Sequence, residues 1–325
     1  MVLNALIGLG AGIAAALLFA SVASGSLLSI FLFYLSALPI LIAALGWSHW
    51  SALIAAIAAA VGLTAVFGAF FFFAFLFGVG LPAWWLGYLA LLARPAAAPE
   101  SGGFEWYPPG HLVMWAALLG AFAVVAAIPH LGADEESFNA ALKSGFERII
   151  RLQTRTPTDV PLELPGLADP KRVIDFLVMA VPPAAAVLTT IVHILNLWLA
   201  GRIVKVSGRL KRSWPDIPAM VFPSYAPALL AISIAGTFLP GLAGIVGGIM
   251  SASLLMAYAV LGFAVLHAVS RNMAGRSFIL AGAYALVLVL GWPVLAMMLL
   301  GLIDSILGIR RRSGIKRGPP AANHS

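Results

Sequence analysis

Cysteine is absent from all 325 residues, which excludes disulfides, thiolate metal sites and cysteine nucleophiles. Charge is nearly as scarce: 19 Lys and Arg and 12 Asp and Glu make up 10% of the chain. The first basic residue is Arg94, so the apolar segment 3–22 lacks the basic region of a signal peptide and reads as a retained first helix. Catalytic patterns are also missing: there is no HExxH, no Walker A lysine loop, no GxSxG elbow and no pair of intramembrane aspartates. Gly8, Gly10 and Gly12 lie within an apolar run with no strand before them, so they form no dinucleotide loop. The expectation is a protein that is not an enzyme and that holds no cofactor and no metal.

What the chain has instead is hydrophobicity, 62% of residues with a mean hydropathy of +1.02. A helix crosses roughly 30 Å of hydrocarbon with about 20 apolar residues. Apolar runs at 3–22, 26–45, 51–92, 111–128, 173–199, 227–270 and 278–307 predict an all-α, polytopic transmembrane bundle of about 8–10 hydrophobic helices. The run 51–92 is long enough for two helices, broken near Gly68 or at Gly78-Val79-Gly80-Leu81-Pro82. A second pair is expected to meet near Pro240-Gly241. Pro182-Pro183 predicts a kink in 173–199. The 94–109 segment, rich in Pro, Gly and Ala, reads as a loop, and the run 278–307 as two short helices turning at Gly291-Trp292-Pro293.

Ten of the nineteen basic residues fall in 202–212 and 310–317, directly after apolar runs. Basic loops of this kind mark the cytoplasmic side and meet anionic lipid rather than nucleic acid. The domain reading is one integral membrane domain over 1–310, an external polar loop at 131–172, and a basic, disordered cytoplasmic tail at 311–325. Both termini are placed in the cytoplasm of a bacterial inner-membrane protein. Within the polar loop, Phe138, Leu142, Phe146 and Ile149 share one face of an extramembrane amphipathic helix, acidic at its start and basic at its end. Residues 157–170 read as an extended connector.

Polar groups inside a bilayer are candidates for function. Thr189, His193 and Asn196, spaced i, i+4 and i+7, form a stripe that would bind a small polar ligand or relay a proton; the alternative is hydrogen bonding that packs helices together. Asp304 would coordinate a cation or dock a partner, or else pair with a terminal arginine such as Arg310. Gly8 with Gly12, and Gly244 with Gly248, have the GxxxG spacing of close helix approach, to another helix or to a partner subunit. Arg148, Arg151, Arg155 and Asp175 admit a further reading, a transferase acting on lipid-linked phosphate. The expected partners are membrane lipids and another membrane subunit, with the small-molecule ligand unknown.

Two short runs, Asn196-Leu197-Trp198 leading into Arg202, and Gly301-Leu302-Ile303-Asp304 ahead of Arg310, resemble the YybS-like predicted bacterial membrane proteins carrying domain of unknown function 2232. The resemblance extends to the helix layout over most of the chain. It implies a fold similar to the substrate-binding subunits of energy-coupling-factor vitamin transporters and to the rod-shape protein MreD. The function expected first is therefore a small-molecule-binding transporter component, and second a non-catalytic scaffold of cell-envelope or cell-shape machinery.

Overall fold

The computed structural model describes residues 2–95, 103–157, 160 and 169–312. Among them, seven helical segments are long and apolar enough to cross a membrane: Val2–Ser24, Leu27–Gly46, His49–Phe67, Ala69–Ala90, Pro109–Leu131, Lys171–Val206 and Leu242–Asn272. Three apolar helices are shorter: Ala226–Gly236, Arg276–Leu290 and Val294–Leu307. The chain is an all-α multi-pass bundle. Most of the 157–170 connector, and the tail beyond residue 312, lie outside the described residues. Where composition predicts a plain loop after residue 92, β1 (Ala93–Pro95) pairs antiparallel with β2 (Phe104–Trp106), Arg94 opposite Glu105.

The first four spans pack through small residues. Gly8 and Gly12 of α1 (Val2–Ala20) lie against Ser51, Ile54, Ala55 and Ala58 of α4 (His49–Phe67), with no room for a Cβ. The order of these contacts makes α1 and α4 parallel. Lipid tails are as apolar as leucine, so such helices associate through close packing rather than by escaping water. The GxxxG face of α1 is thus used within the chain. The second span divides into α2 (Leu27–Tyr34) and α3 (Leu38–Gly46). The break after α4 falls at Gly68, whose φ of 96° suits glycine. Beyond it come α5 (Ala69–Phe75), a π turn (Leu76–Gly80) and α6 (Leu81–Ala90).

The fifth span is α7 (Pro109–Val125) followed by the short α8 (Ile128–Leu131). The amphipathic helix α9 (Glu135–Thr154) is capped by Asp134, with Ser137 completing a capping box. Phe138 is buried, whereas Ile149 and Leu152 are exposed, so the apolar face docks only at its first turns. α10 (Pro170–Val206) continues through both internal prolines for 37 residues, about 55 Å.

α10 runs parallel to α12 (Leu242–Val269): Thr190 meets Ser253, and Val178 and Pro182 share a cleft with Gly244 and Gly248. The chain between them therefore returns along the bundle. Here the expected full span is replaced by α11 (Ala226–Gly236), about 16 Å long. The irregular stretch before it, with Met220 and Phe222 buried, makes up the remaining length. Irregular backbone is tolerated at such depth where protein surrounds it. Of the Gly244 and Gly248 pair, Gly244 packs against the Leu239 carbonyl of the α11–α12 turn with no room for a Cβ, whereas Gly248 faces open space and it is Gly247 that lies on Gly236 of α11.

The break in the last run occurs at Gly291, with φ of 72°, between α13 (Arg276–Leu290) and α14 (Val294–Leu307). The two do not dip and return together. Tyr284 of α13 stacks on Phe263 and meets His267 at 2.9 Å. In α14, Met297 lies on Gly262 and Gly301 on Tyr258, an order that makes it antiparallel to α12. It therefore leads away from the end that carries Arg271, against the hairpin expected to bring the tail back. α15 (Ile309–Arg312) follows.

Gly12→Leu forces α1 off α4 and is expected to destabilise the protein by about 1–3 kcal/mol, an overpacking effect. Gly10→Leu, at a position with nothing within 4 Å of a new Cβ, leaves the melting temperature in detergent unchanged.

Candidate functional site

The polar stripe of α10 meets backbone carbonyls that prolines have orphaned. Pro39 has no N–H for the carbonyl of Leu35 four residues earlier. The Leu38 amide bonds to Leu35 O instead, at 2.9 Å, and Tyr34 O is left over. Asn196 donates to it from Nδ2 at 2.8 Å. Pro82 likewise offers nothing to Gly78 O, within the π turn, and His193 Nε2 faces that oxygen at 3.4 Å. Nδ1 of the same ring faces Ala116 O at 3.4 Å. A neutral imidazole donates to one of these carbonyls, an imidazolium to both.

Thr189 is half-buried, and its hydroxyl bonds back to Ala185 O at 2.8 Å. Its neighbour Thr190 is the fully buried one, 2.7 Å from Ser253, which in turn donates to Ala117 O. Thr190 and Ser253 were thus missed by reading a single face. α10 has helices on several sides: Asn196 faces the α2–α3 break, and Thr190 faces α7 and α12. The stripe holds helices together; of its polar atoms, Asn196 Oδ1 is buried without a hydrogen-bond partner.

Asp304 pairs with Arg310 at 2.6 Å, the side chains 5% and 11% exposed. Arg310 also donates to Pro218 O at 2.7 Å, a carbonyl of the irregular stretch before α11. Arg212 does the same for Ala90 O and Tyr107 O, and burial pushes its guanidinium pKa down. In the transferase reading, Arg151 is taken up by Glu147 and by the carbonyls of Pro157 and Val160, and Asp175 by Lys143 at 2.6 Å. Among the described residues, no three His, Asp or Glu side chains stand together as a metal site.

Open space is found at the far end of α10. A cleft of about 500 Å³ lies between α9, the first half of α10 and the α11–α12 turn. Glu135, Asn139, Lys143 and Asp175 are its polar lining, and Val178, Met179, Pro182 and Ile245 belong to its apolar lining. Gly248 lines it with nothing within 4 Å of its would-be Cβ. The Lys143–Asp175 pair that ties α9 to α10 is more than half exposed on both sides, so it contributes about 1 kcal/mol at most.

Three outcomes follow from these contacts. Asn196→Leu strands Tyr34 O and lowers stability by about 1–3 kcal/mol. Arg310→Ala leaves Asp304 buried without its partner and costs about 3–5 kcal/mol, whereas the double replacement Asp304→Asn with Arg310→Met costs less; thermal unfolding in detergent reads both. The hydrogen bonds from Ser137, side chain then backbone, hold the Asp134 carboxyl pKa below its ordinary value. Its stabilisation of α9 is therefore present above the unfolded pKa of about 3.9 and lost as pH falls through the lower folded value. Hydrogen exchange over 135–139, corrected for intrinsic rates, should show protection at pH 6 that fades below pH about 4; Asp134→Asn removes this dependence.

No curated protein and no solved structure matches the chain. The profile of one family, described as predicted membrane protein (DUF2232), matches residues 12–305. Spanning nearly all of the bundle from α1 to α14, this match shows that the chain belongs to the DUF2232 family of membrane proteins.

Proposed function

We propose that this protein is a non-catalytic, small-molecule-binding component of a bacterial transport system, and that its ligand occupies the cleft under α9 rather than the Thr189, His193, Asn196 stripe. The observation that carries the reading is the cleft itself: about 500 Å³, lined by apolar side chains together with Glu135, Asn139, Lys143 and Asp175. This combination is characteristic of ligand sites. The hydrogen bonds of His193 and Asn196 to neighbouring backbone support moving the site away from them. With Arg94, 202–212 and Arg271 taken as cytoplasmic, the cleft opens on the outer side of an inner membrane. That placement suits capture of an external solute.

A second reading, a scaffold of envelope machinery, is favoured by α13. It buries no residue and presents Phe278, Leu288 and Val289 more than 80% exposed. Normal shape and division in a deletion strain would count against it.

For the binding reading, purified protein screened against vitamins and other small metabolites is expected to melt at a higher temperature with its ligand. Gly248→Leu fills open space in the cleft and abolishes the shift. Asp175→Asn weakens binding by about tenfold, the loss of one charge-assisted hydrogen bond, while His193→Gln leaves affinity unchanged. Absence of any ligand-dependent shift, or a shift that survives Gly248→Leu, removes the reading.

A further inference from the structure

The opposite end of the bundle carries a second feature that small-molecule binding does not use. Arg202, Lys205, Arg209, Lys211 and Arg212 lie within eleven residues on the last turns of α10 and the segment after it. Among the described residues no carboxylate pairs with any of them. Asp216, the acidic residue of that segment, pairs with Arg271 at 3.5 Å.

Three of the cations are held over indole rings. The Arg202 guanidinium lies 5.9 Å from Trp198 and 5.5 Å from Trp214, and Lys205 Nζ lies 5.1 Å from the same Trp214 ring. Arg209 sits 4.5 Å over Trp47, which caps α3 on a different part of the chain. Such contacts fix a flexible side chain through its face. The planar N–H edge of a guanidinium stays free when its face is covered, and that edge matches two oxygens of a phosphate. Tryptophan at a helix end also sits at the level of lipid headgroups.

We propose that Arg202, Lys205 and Arg209, positioned by Trp47, Trp198 and Trp214, bind the phosphate of an anionic phospholipid headgroup. The site is independent of the cleft, and the two stand or fall separately. A carboxylate-free cluster with free donor edges recognises a phosphate ester, and its place at the end of a spanning helix identifies the source as lipid rather than a soluble ester.

The test uses the full chain in neutral detergent. Melting temperature and native mass spectra are recorded with phosphatidylglycerol, with phosphatidylcholine, and with glycerol phosphate at equal phosphate concentration. Phosphatidylglycerol is expected to raise the melting temperature and to remain bound, with an effect that weakens in high salt. R202Q with R209Q, both exposed in the structure, should bind it about tenfold or more weakly while melting normally without lipid. Should that double variant fold poorly, K205Q alone carries the comparison, with the same direction expected. Equal stabilisation by phosphatidylcholine or by glycerol phosphate, or retention of full affinity by the variants, overturns the proposal.

Discussion

A backbone carbonyl that loses its helical donor inside a bilayer finds no water to replace it, and the arrangement of this bundle follows from that constraint. Pro39 and Pro82 each leave an oxygen without its usual partner, on Tyr34 and Gly78, and both oxygens are met from α10, by Asn196 and His193. Arg310 meets Pro218 O, and Arg212 meets Ala90 O and Tyr107 O. Much of the buried polarity is therefore spent on backbone irregularities of neighbouring segments. Because two of the breaks are capped from one helix, α10 fixes the position of α2, α3 and the π turn together.

The same constraint separates structure from function. An intramembrane histidine and asparagine on one stripe suggest a ligand or a proton path when read alone. Here backbone carbonyls account for the His193 ring and for Asn196 Nδ2, and what packing leaves over, besides Asn196 Oδ1, is the cleft at the other end. Its polar groups are exposed, its ion pair is weak, and the helix above it is anchored chiefly by Phe138. An element held by few contacts opens at low free energy, which suits a cover over a binding site.

Much of the bundle was legible from the spacing of apolar runs, since hydrocarbon thickness sets helix length and glycine marks the turns at Gly68 and Gly291. The limits are equally physical. Hydropathy does not distinguish an apolar helix from an apolar irregular segment buried in protein. The run from Pro227 therefore read as a full span, whereas α11 ends at Gly236 and the stretch before it, with Met220 and Phe222 buried, completes the crossing. Helical arithmetic chose Thr189 over Thr190 because it assumes a single packed face, whereas α10 packs on both the α2–α3 side, through Asn196, and the α7–α12 side, through Thr190. The direction of α14 depends on which glycines touch, Gly262 and Gly301, and the cleft on where α9 lands. Neither is encoded in local pattern.

α10 connects the two proposed sites physically. It runs unbroken from Asp175 in the cleft lining, past Thr190, His193 and Asn196, to Arg202 at the cation cluster. Coupling between sites needs an element with two arrangements, not merely a rigid rod. The rod is α10, pinned by its contacts with the Tyr34 and Gly78 carbonyls and, through Thr190, with Ser253. α9 is attached beside the cleft by the buried Phe138 and by the solvent-exposed Lys143–Asp175 pair.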